Sequence, residues 1–246
     1  MALRRQIKTK IPKFLQGSAQ SASRAANYLL AREPEFAIVG TGRSGTTFTA
    51  EYLNHIGIPC SHEKYFTSEG PTLRNARRPF YSRGDASWMA VPYVTQMGIP
   101  VVHQIRNPIA VIRSLMRIQF FDPAARDHHG EFIRFALRHF RATDDQLGNC
   151  IRWYIDWNRR CEDVSSFRFR VEDFDPAIAE IFAKLGYSPS PDKADVSEQL
   201  NSRASPTGHN LSDKFEEELR AHRHFDELQE LSEKYGYSLV NEINKP

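Results

Sequence analysis

The chain has 246 residues, of which 40% are hydrophobic and 11% aromatic, which is enough for one sizeable core, so we expect a single domain. Its apolar runs are far shorter than the roughly 20 residues that cross a bilayer, so we expect no membrane-spanning helix. The three cysteines, Cys60, Cys150 and Cys161, form no C-x-x-C pair, which argues against a disulfide framework or zinc site and predicts a reducing, cytoplasmic location.

The net charge of +3 is distributed unevenly along the chain. Residues 1–32 contain seven Lys or Arg and no acidic residue, whereas the remainder has 26 basic and 30 acidic residues. Apolar residues recur at helical spacing in this arm, which would suit an amphipathic helix on an anionic membrane or a targeting segment. Pro12 interrupts that pattern and favours a solvated arm. We therefore predict a basic N-terminal arm at 1–32, with peripheral membrane contact as the alternative, and one domain at 33–246.

A strand, a glycine-rich loop and a helix are predicted in succession at the start of this domain. Residues 35–39 form a short β-rich apolar run, and residues 48–56 place apolar side chains at helical spacing. Between them, residues 40–47 (GTGRSGTT) have the glycine spacing of a loop whose backbone N–H groups bind a phosphate. Thr46 stands where a nucleoside triphosphatase has lysine, and Arg43 brings the positive charge earlier. The loop therefore predicts an anion site, and no acidic anchor for magnesium is evident at the later strand end.

The rest of the domain continues the alternation of strands and helices. The predictions, in chain order, are an extended segment at 58–63, a long loop at 64–85, a helix at 87–97, a buried strand at 99–105, two helices within 130–161, a strand at 167–172, a helix at 178–185, a loop at 189–210 and helices at 215–219 and 225–235. This alternation predicts an α/β fold with a mainly parallel sheet flanked by helices, of the P-loop nucleotide-binding type. Ligands of such sheets gather at the carboxyl ends of the strands, where the GTGRSGTT loop and Arg106 both lie.

Two segments resemble the donor-binding motifs of the sulfotransferase superfamily. They are residues 40–48 (GTGRSGTTF) and 105–115 (IRNPIAVIRSL), and they occur in the same order as in that family. The resemblance implies an enzyme that transfers a sulfuryl group from the co-substrate 3′-phosphoadenosine 5′-phosphosulfate (PAPS) to an acceptor hydroxyl, with no metal. It also implies the residues that bind this co-substrate: Gly42, Arg43, Ser44, Gly45, Thr46 and Thr47 at the 5′-phosphosulfate, and Arg106 and Ser114 at the 3′-phosphate.

Further segments extend the resemblance to bacterial and Golgi-type members over residues 35–240. They are His62-Glu63, residues 84–93 and residues 152–158. The chain departs from the cytosolic eukaryotic subgroup because Arg43 replaces its lysine and no R-K-G motif follows near the C-terminus. The residue that makes a third contact to the 3′-phosphate is therefore unassigned, and the candidates are Arg203 and residues 205–210.

The resemblance also implies a catalytic base, because glycosaminoglycan- and tyrosine-directed relatives use a glutamate. Glu63 is the first candidate and His62 the second, while Arg43 stabilises the departing phosphate oxygen. Adjacent residues of an extended segment project in different directions, so we expect at most one of the pair to reach the acceptor. The structural alternative is that Glu63 forms an ion pair with one of the arginines of the 64–85 loop: Arg74, Arg77, Arg78 or Arg83.

The arginines of the 64–85 loop bear on the identity of the acceptor. The same four arginines favour a carbohydrate, and a tyrosine or a small alcohol is the alternative; we expect no nucleic-acid partner. Trp88, Trp153 and Trp157 are predicted to be structural, with Trp88 as the one that lines the acceptor cleft if any does. Two other functions would also use the glycine-rich loop at 40–47. They are a magnesium-dependent phosphoryl kinase and a non-catalytic nucleotide-sensing module.

Overall fold

The computed structural model describes residues 33–72, 82–122, 130–143, 145–188 and 214–239. Within them a central sheet of five parallel strands has the order β2-β5-β1-β6-β7, and a separate antiparallel pair is formed by β3 and β4. The strands are β1 (Phe36–Val39), β2 (Cys60–His62), β3 (Phe66–Thr67), β4 (Gly70–Pro71), β5 (Gly84–Ala86), β6 (Val101–Ile105) and β7 (Phe167–Arg170).

Helices flank the sheet, as the sequence predicted. They are α1 (Thr46–His55), α2 (Val91–Val94), α3 (Pro108–Arg117), α4 (Gly130–His139), α5 (Gln146–Val164), α6 (Phe174–Lys184), α7 (Phe215–Ala221) and α8 (Phe225–Lys234), with 3₁₀ turns at Trp88–Ala90 and Val171–Asp173. No helix of the described residues is both long enough and apolar enough to cross a bilayer. The three cysteines are buried free thiols.

The two faces of the sheet bury different helices because successive strand residues point to opposite sides. On one face, Phe36 and Ile38 of β1 pack with apolar residues of α1 and α6. On the other, Ala37 and Val39 belong to the larger cluster that contains α3, α4, α5, α7 and α8. Full burial of a side chain such as Phe36 or Ile38 contributes about 1.5 to 3 kcal/mol each, so this alternation holds the sheet between its helix layers.

The chain order places a ligand crevice beside β1. After β1 the chain goes to the edge strand β2 and returns through β5, then crosses to β6 and β7 on the other side of β1. In open α/β sheets the carboxyl ends of strands that flank such a reversal form the ligand site. The loops after β1 and β6 carry the GTGRSGTT sequence and Arg106, so the fold brings the two predicted anion-binding segments together.

Two predictions about the elements are wrong. The segment 64–85 is not one long loop, since its described part contains the β3–β4 pair and the start of β5, which lies between β1 and β2. The helix predicted at 87–97 is reduced to the 3₁₀ turn at Trp88–Ala90 and the four residues of α2. A strand of three residues is too short to show periodicity, and β5 forms because a neighbour pairs with it on each side.

Candidate functional site

The loop between β1 and α1 makes a close turn at the carboxyl edge of the sheet. A Cβ on Gly40 would lie 2.6 Å from the backbone oxygen of Gln104 and 2.7 Å from Ser44 Oγ, so only glycine fits. Gly45 caps α1 with a φ of 96°, and Arg43 also has a positive φ of 73°. A non-glycine residue in this region costs on the order of 1 kcal/mol or more, and such strain concentrates at functional sites. The first-turn N–H groups of α1 receive no side-chain cap from Gly45, an arrangement that suits a helix N-terminus to bind an anion.

A buried glutamine beneath the loop fixes its shape. Gln104, which is 0% exposed, donates from Nε2 to the Ser44 carbonyl at 2.7 Å and accepts from Thr49 Oγ1 at 2.6 Å. It therefore ties β6 to both the loop and α1. Gln104 was not among the predicted site residues; its signal in the sequence is an amide side chain inside an otherwise apolar strand.

The hydroxyl of Ser44 is buried and has no hydrogen-bond partner within the described part of the chain. A buried polar atom without a partner costs about 1 to 3 kcal/mol. The atom lies in the loop itself, next to Gly40.

A cleft of about 420 Å³ opens at this end of the sheet. Eight of the ten predicted site residues line it: Gly42, Arg43, Gly45, Thr46, Thr47, His62, Glu63 and Arg106. The other two do not line the cleft. Ser44 is buried beneath the cleft surface, and Ser114 accepts a hydrogen bond from Arg43, which lines the cleft. The structure therefore brings the predicted residues of three separate segments to one place.

Two arginines and a serine converge on one side of the cleft. Arg43 Nε donates to Ser114 Oγ at 2.9 Å, and Arg106 Nη1 donates to the Arg43 carbonyl at 3.1 Å. Burial lowers the pKa of Arg43, the charge of Arg106 lowers it further, and the charge of Glu63 raises it. An anion bound between the two guanidinium groups would relieve their repulsion and accept charge-assisted hydrogen bonds from both.

His62 connects the end of β2 to the glycine loop. Its Nε2 lies 3.0 Å from Thr46 Oγ1 and 3.2 Å from Thr47 Oγ1. Burial, assisted by the charge of Lys64, lowers the pKa of His62 to about 4, so its ring is neutral at pH 7. A neutral ring held by two loop hydroxyls is suited to positioning the loop.

Glu63 projects into the same cleft as His62, and His62 Nε2 lies 3.5 Å from Glu63 Oε1. The expectation that these neighbours diverge is wrong because Glu63 leaves the extended conformation, with a φ of 52°. Its side chain is 16% exposed. Burial raises the pKa of Glu63 to about 7, with further increases from the charges of Asp85 and Glu131, against a hydrogen bond from Trp88 and the charge of Lys64. A carboxylate with that pKa has the properties of a general base at neutral pH.

The conformation at Glu63 is held by Asp85, which is 0% exposed. Asp85 Oδ1 accepts from Ser61 Oγ at 2.6 Å and from the Lys64 N–H at 3.1 Å, and Oδ2 accepts from the Phe66 N–H at 3.0 Å. These bonds join both sides of the turn that carries Glu63 to strand β5. Burial raises the pKa of Asp85, while its hydrogen bonds oppose that shift. Asp85 was not among the predicted site residues because β5 is too short to show a strand pattern.

We expect Asp85→Asn to lower the pKa of Glu63 below its value of about 7. The variant removes a negative charge that disfavours the ionised form of Glu63, so Glu63 would ionise at lower pH. ¹³C NMR titration of the glutamate side-chain carboxyls measures this, and Glu63→Gln assigns the resonance. Ser61→Ala is the matched control, because it removes one hydrogen bond and retains the charge. An unchanged Glu63 pKa in Asp85→Asn, or an equal decrease in Ser61→Ala, would refute the charge coupling.

The ion-pair alternative for Glu63 fails for Arg83. Arg83 Nη2 lies 2.5 Å from Glu35 Oε2, and its guanidinium stacks 4.3 Å from the centroid of the Tyr187 ring. Arg83 precedes β5 and Glu35 precedes β1, so this pair lies at the amino edge of the sheet, opposite the cleft. The other three arginines, Arg74, Arg77 and Arg78, lie outside the described residues, as do the N-terminal arm and the candidates for a third phosphate contact, Arg203 and residues 205–210.

The tryptophans form a buried cluster at one wall of the cleft. Trp153 and Trp157 are fully buried and stack at 4.4 Å, and Trp88 contacts both edge-on. Trp88 also lines the cleft. Its ring would be 3.7 Å from a Cβ on Gly42, so it lies directly against the glycine loop.

The described residues contain no group of three or more His, Cys, Asp and Glu side chains that could hold a metal ion. No protein-family model and no curated protein matches the sequence.

Proposed function

We propose that this chain is a sulfotransferase with a P-loop type of nucleotide site, which transfers the sulfuryl group of PAPS to an acceptor hydroxyl. The observation that carries the proposal is the convergence, in one cleft, of the GTGRSGTT loop, the Arg43–Arg106–Ser114 group and the Glu63 carboxylate. Each part is separately suited to one task of this reaction. The resemblance of the two motifs to sulfotransferases supports the same assignment.

The loop suits the 5′-phosphosulfate. The N-terminal N–H groups of α1 and the hydroxyls of Thr46 and Thr47 lie at the cleft, where they can bind an anion. Arg106 and Ser114 suit the 3′-phosphate, since Arg106 lies on the neighbouring β6–α3 connection, Ser114 lies on α3, and both contact Arg43. Arg43 lies between the two positions and contacts Ser114, so it can serve either phosphate.

The reaction requires one proton acceptor and a stabilised leaving group. The acceptor oxygen attacks sulfur as the bond from sulfur to the bridging phosphate oxygen breaks, and the electron pair of that bond stays on the departing 5′-phosphate. Glu63 takes the proton of the acceptor hydroxyl. Arg43 and the loop N–H groups stabilise the negative charge that develops on the phosphate oxygen. Because arginine and backbone donors supply this positive potential, the proposed reaction has no metal-dependent step.

Titration calorimetry with 3′-phosphoadenosine 5′-phosphate and with ATP–Mg²⁺ tests the proposal. We expect the bisphosphate to bind more tightly than ATP–Mg²⁺, because two anion positions flank the cleft and the phosphate-loop lysine is replaced by Thr46. If ATP–Mg²⁺ binds tightly and a 3′-phosphate adds no affinity, the result would favour the kinase instead.

Transfer is then measured with ³⁵S-labelled PAPS and a panel of phenols, sugars and alcohols. Labelled product from any member supports the enzyme. A chain that binds the bisphosphate and transfers label to no member of the panel would be a nucleotide-sensing module.

A further inference from the structure

Three aromatic side chains form the wall of the cleft next to Glu63. They are Trp88, Phe120 and Phe132, and we refer to them as the aromatic wall. The rings of Phe120 and Phe132 lie 6.1 Å and 6.3 Å from that of Trp88. The hydrogen bond between Trp88 and Glu63 places this wall beside the carboxylate. An acceptor whose hydroxyl reaches Glu63 therefore has its carbon skeleton against aromatic rings.

The aromatic wall is fixed by the core behind it. Trp88 contacts the rings of Phe135, Trp153 and Trp157 edge-on at 5.2, 5.7 and 5.9 Å. Trp157 Nε1 also donates to the Trp88 carbonyl at 3.1 Å. A rigid wall of this kind favours a flat ring over a flexible chain, because the ring stacks without reorganisation of the protein.

The charges around Glu63 disfavour an anionic acceptor. Asp85 and Glu131 both raise the pKa of Glu63 by their charge, and Lys64 opposes them. The arginines of the cleft, Arg43 and Arg106, lie on the side of the glycine loop and Ser114, which is the side assigned to the phosphates of the donor. Arg83, which supported a carbohydrate acceptor in the sequence analysis, pairs with Glu35 at the opposite edge of the sheet. Among the described residues, the field at the acceptor end thus suits a neutral molecule.

From this geometry, and resting on the proposed sulfuryl transfer, we infer that the acceptor is a neutral phenol whose ring lies on the aromatic wall with its hydroxyl at Glu63. Proton transfer supports the same choice. A phenol has a pKa of about 10, whereas an aliphatic hydroxyl resembles water at about 16. Glu63, with a pKa of about 7, is therefore a much better matched base for a phenol.

The experiment compares four acceptors with the full chain and ³⁵S-labelled PAPS. They are 2-naphthol, N-acetyltyrosine amide, methyl glucoside and a sulfated uronic-acid disaccharide. We expect kcat/KM for 2-naphthol to exceed that for both sugars by at least tenfold. The comparison between 2-naphthol and the tyrosine amide distinguishes a free phenol from a peptide side chain, and the same tenfold preference over both sugars for either phenol supports the inference.

A variant of the aromatic wall provides the structural control. Phe132 is half-buried, and Phe132→Leu should lower kcat/KM for 2-naphthol about tenfold with little effect on bisphosphate affinity. Leu137→Ala, on the same helix α4 but 44% exposed, should change neither quantity.

The outcomes separate the two proposals. Transfer to either sugar that matches or exceeds transfer to both phenols would overturn the acceptor inference and leave the sulfotransferase proposal intact. An unchanged kcat/KM for 2-naphthol in Phe132→Leu would overturn the role of the aromatic wall. A chain that does not bind the bisphosphate would overturn the proposed function, and the acceptor inference with it.

Discussion

Glu63→Gln is expected to lower turnover by about 10² to 10⁴, which is the usual contribution of a general base. Glutamine retains the size of the side chain and cannot accept the proton of the acceptor hydroxyl. Glu63 is 16% exposed and its pKa is raised to about 7, which suits a base that acts at neutral pH. Initial rates with labelled PAPS measure the loss. Bisphosphate affinity, measured by calorimetry, should hardly change.

His62→Asn is the matched control, because His62 lies next to Glu63 and lines the same cleft. The pKa of His62 is about 4 against about 7 for Glu63, so its ring is a base weaker by about three orders of magnitude. Its contacts with Thr46 and Thr47 predict a loss of bisphosphate affinity and a smaller loss of turnover. An inactive His62→Asn enzyme together with near-normal Glu63→Gln turnover would reverse the assignment.

The pH profile provides a second readout of the same role. A base must be ionised to act, and the ionised fraction of Glu63 rises as the pH increases through its pKa of about 7. The kcat/KM of the wild type should therefore rise with pH and level off above about 7, because this ratio reports on the free enzyme. The residual activity of Glu63→Gln should lack that rise. A wild-type profile that is flat from pH 5 to pH 9 would exclude Glu63 as the base.

The parts of the site that the sequence predicts well are those encoded by consecutive residues. The GTGRSGTT loop follows a short apolar run and precedes a helical pattern, and Arg106 ends another buried strand. Strand and helix periodicity then place both segments at the carboxyl edge of a parallel sheet without any knowledge of the packing. The steric reason for Gly40 needs the structure, since its neighbour is the carbonyl of Gln104, 64 residues away in the chain.

The residues that support the turn at Glu63 could not be predicted in the same way. Glu63 has a left-handed backbone because Asp85 binds groups on both sides of it, and Asp85 lies on a three-residue strand without periodicity. The pKa of Glu63 depends on burial and on charges from other segments, Asp85 and Glu131. These are tertiary effects. They also overturned the sequence argument from adjacent side chains, which holds only while the strand stays extended.

Arg106→Ala is expected to weaken binding of 3′-phosphoadenosine 5′-phosphate by about 2 to 5 kcal/mol, the range for one partner of a charged hydrogen bond that the bound ligand would bury. This corresponds to a roughly 30- to 4,000-fold increase in Kd. Affinity for adenosine 5′-phosphate should be nearly unchanged, because we assign Arg106 to the 3′-phosphate. Calorimetry with both nucleotides measures the difference. Arg113→Ala on α3, which removes a half-exposed ion pair with Glu216, should affect neither ligand.

The use of two nucleotides is needed because Arg106 also supports the glycine loop. Its Nη1 donates to the Arg43 carbonyl at 3.1 Å, so its removal can loosen the loop as well as delete a phosphate contact. Loosening the loop would weaken both nucleotides equally, since both carry the 5′-phosphate. Loss of a 3′-phosphate contact would weaken only the bisphosphate. Equal losses would therefore assign Arg106 a structural role. A selective loss, with a smaller selective loss in Ser114→Ala, would assign both residues to recognition of the 3′-phosphate.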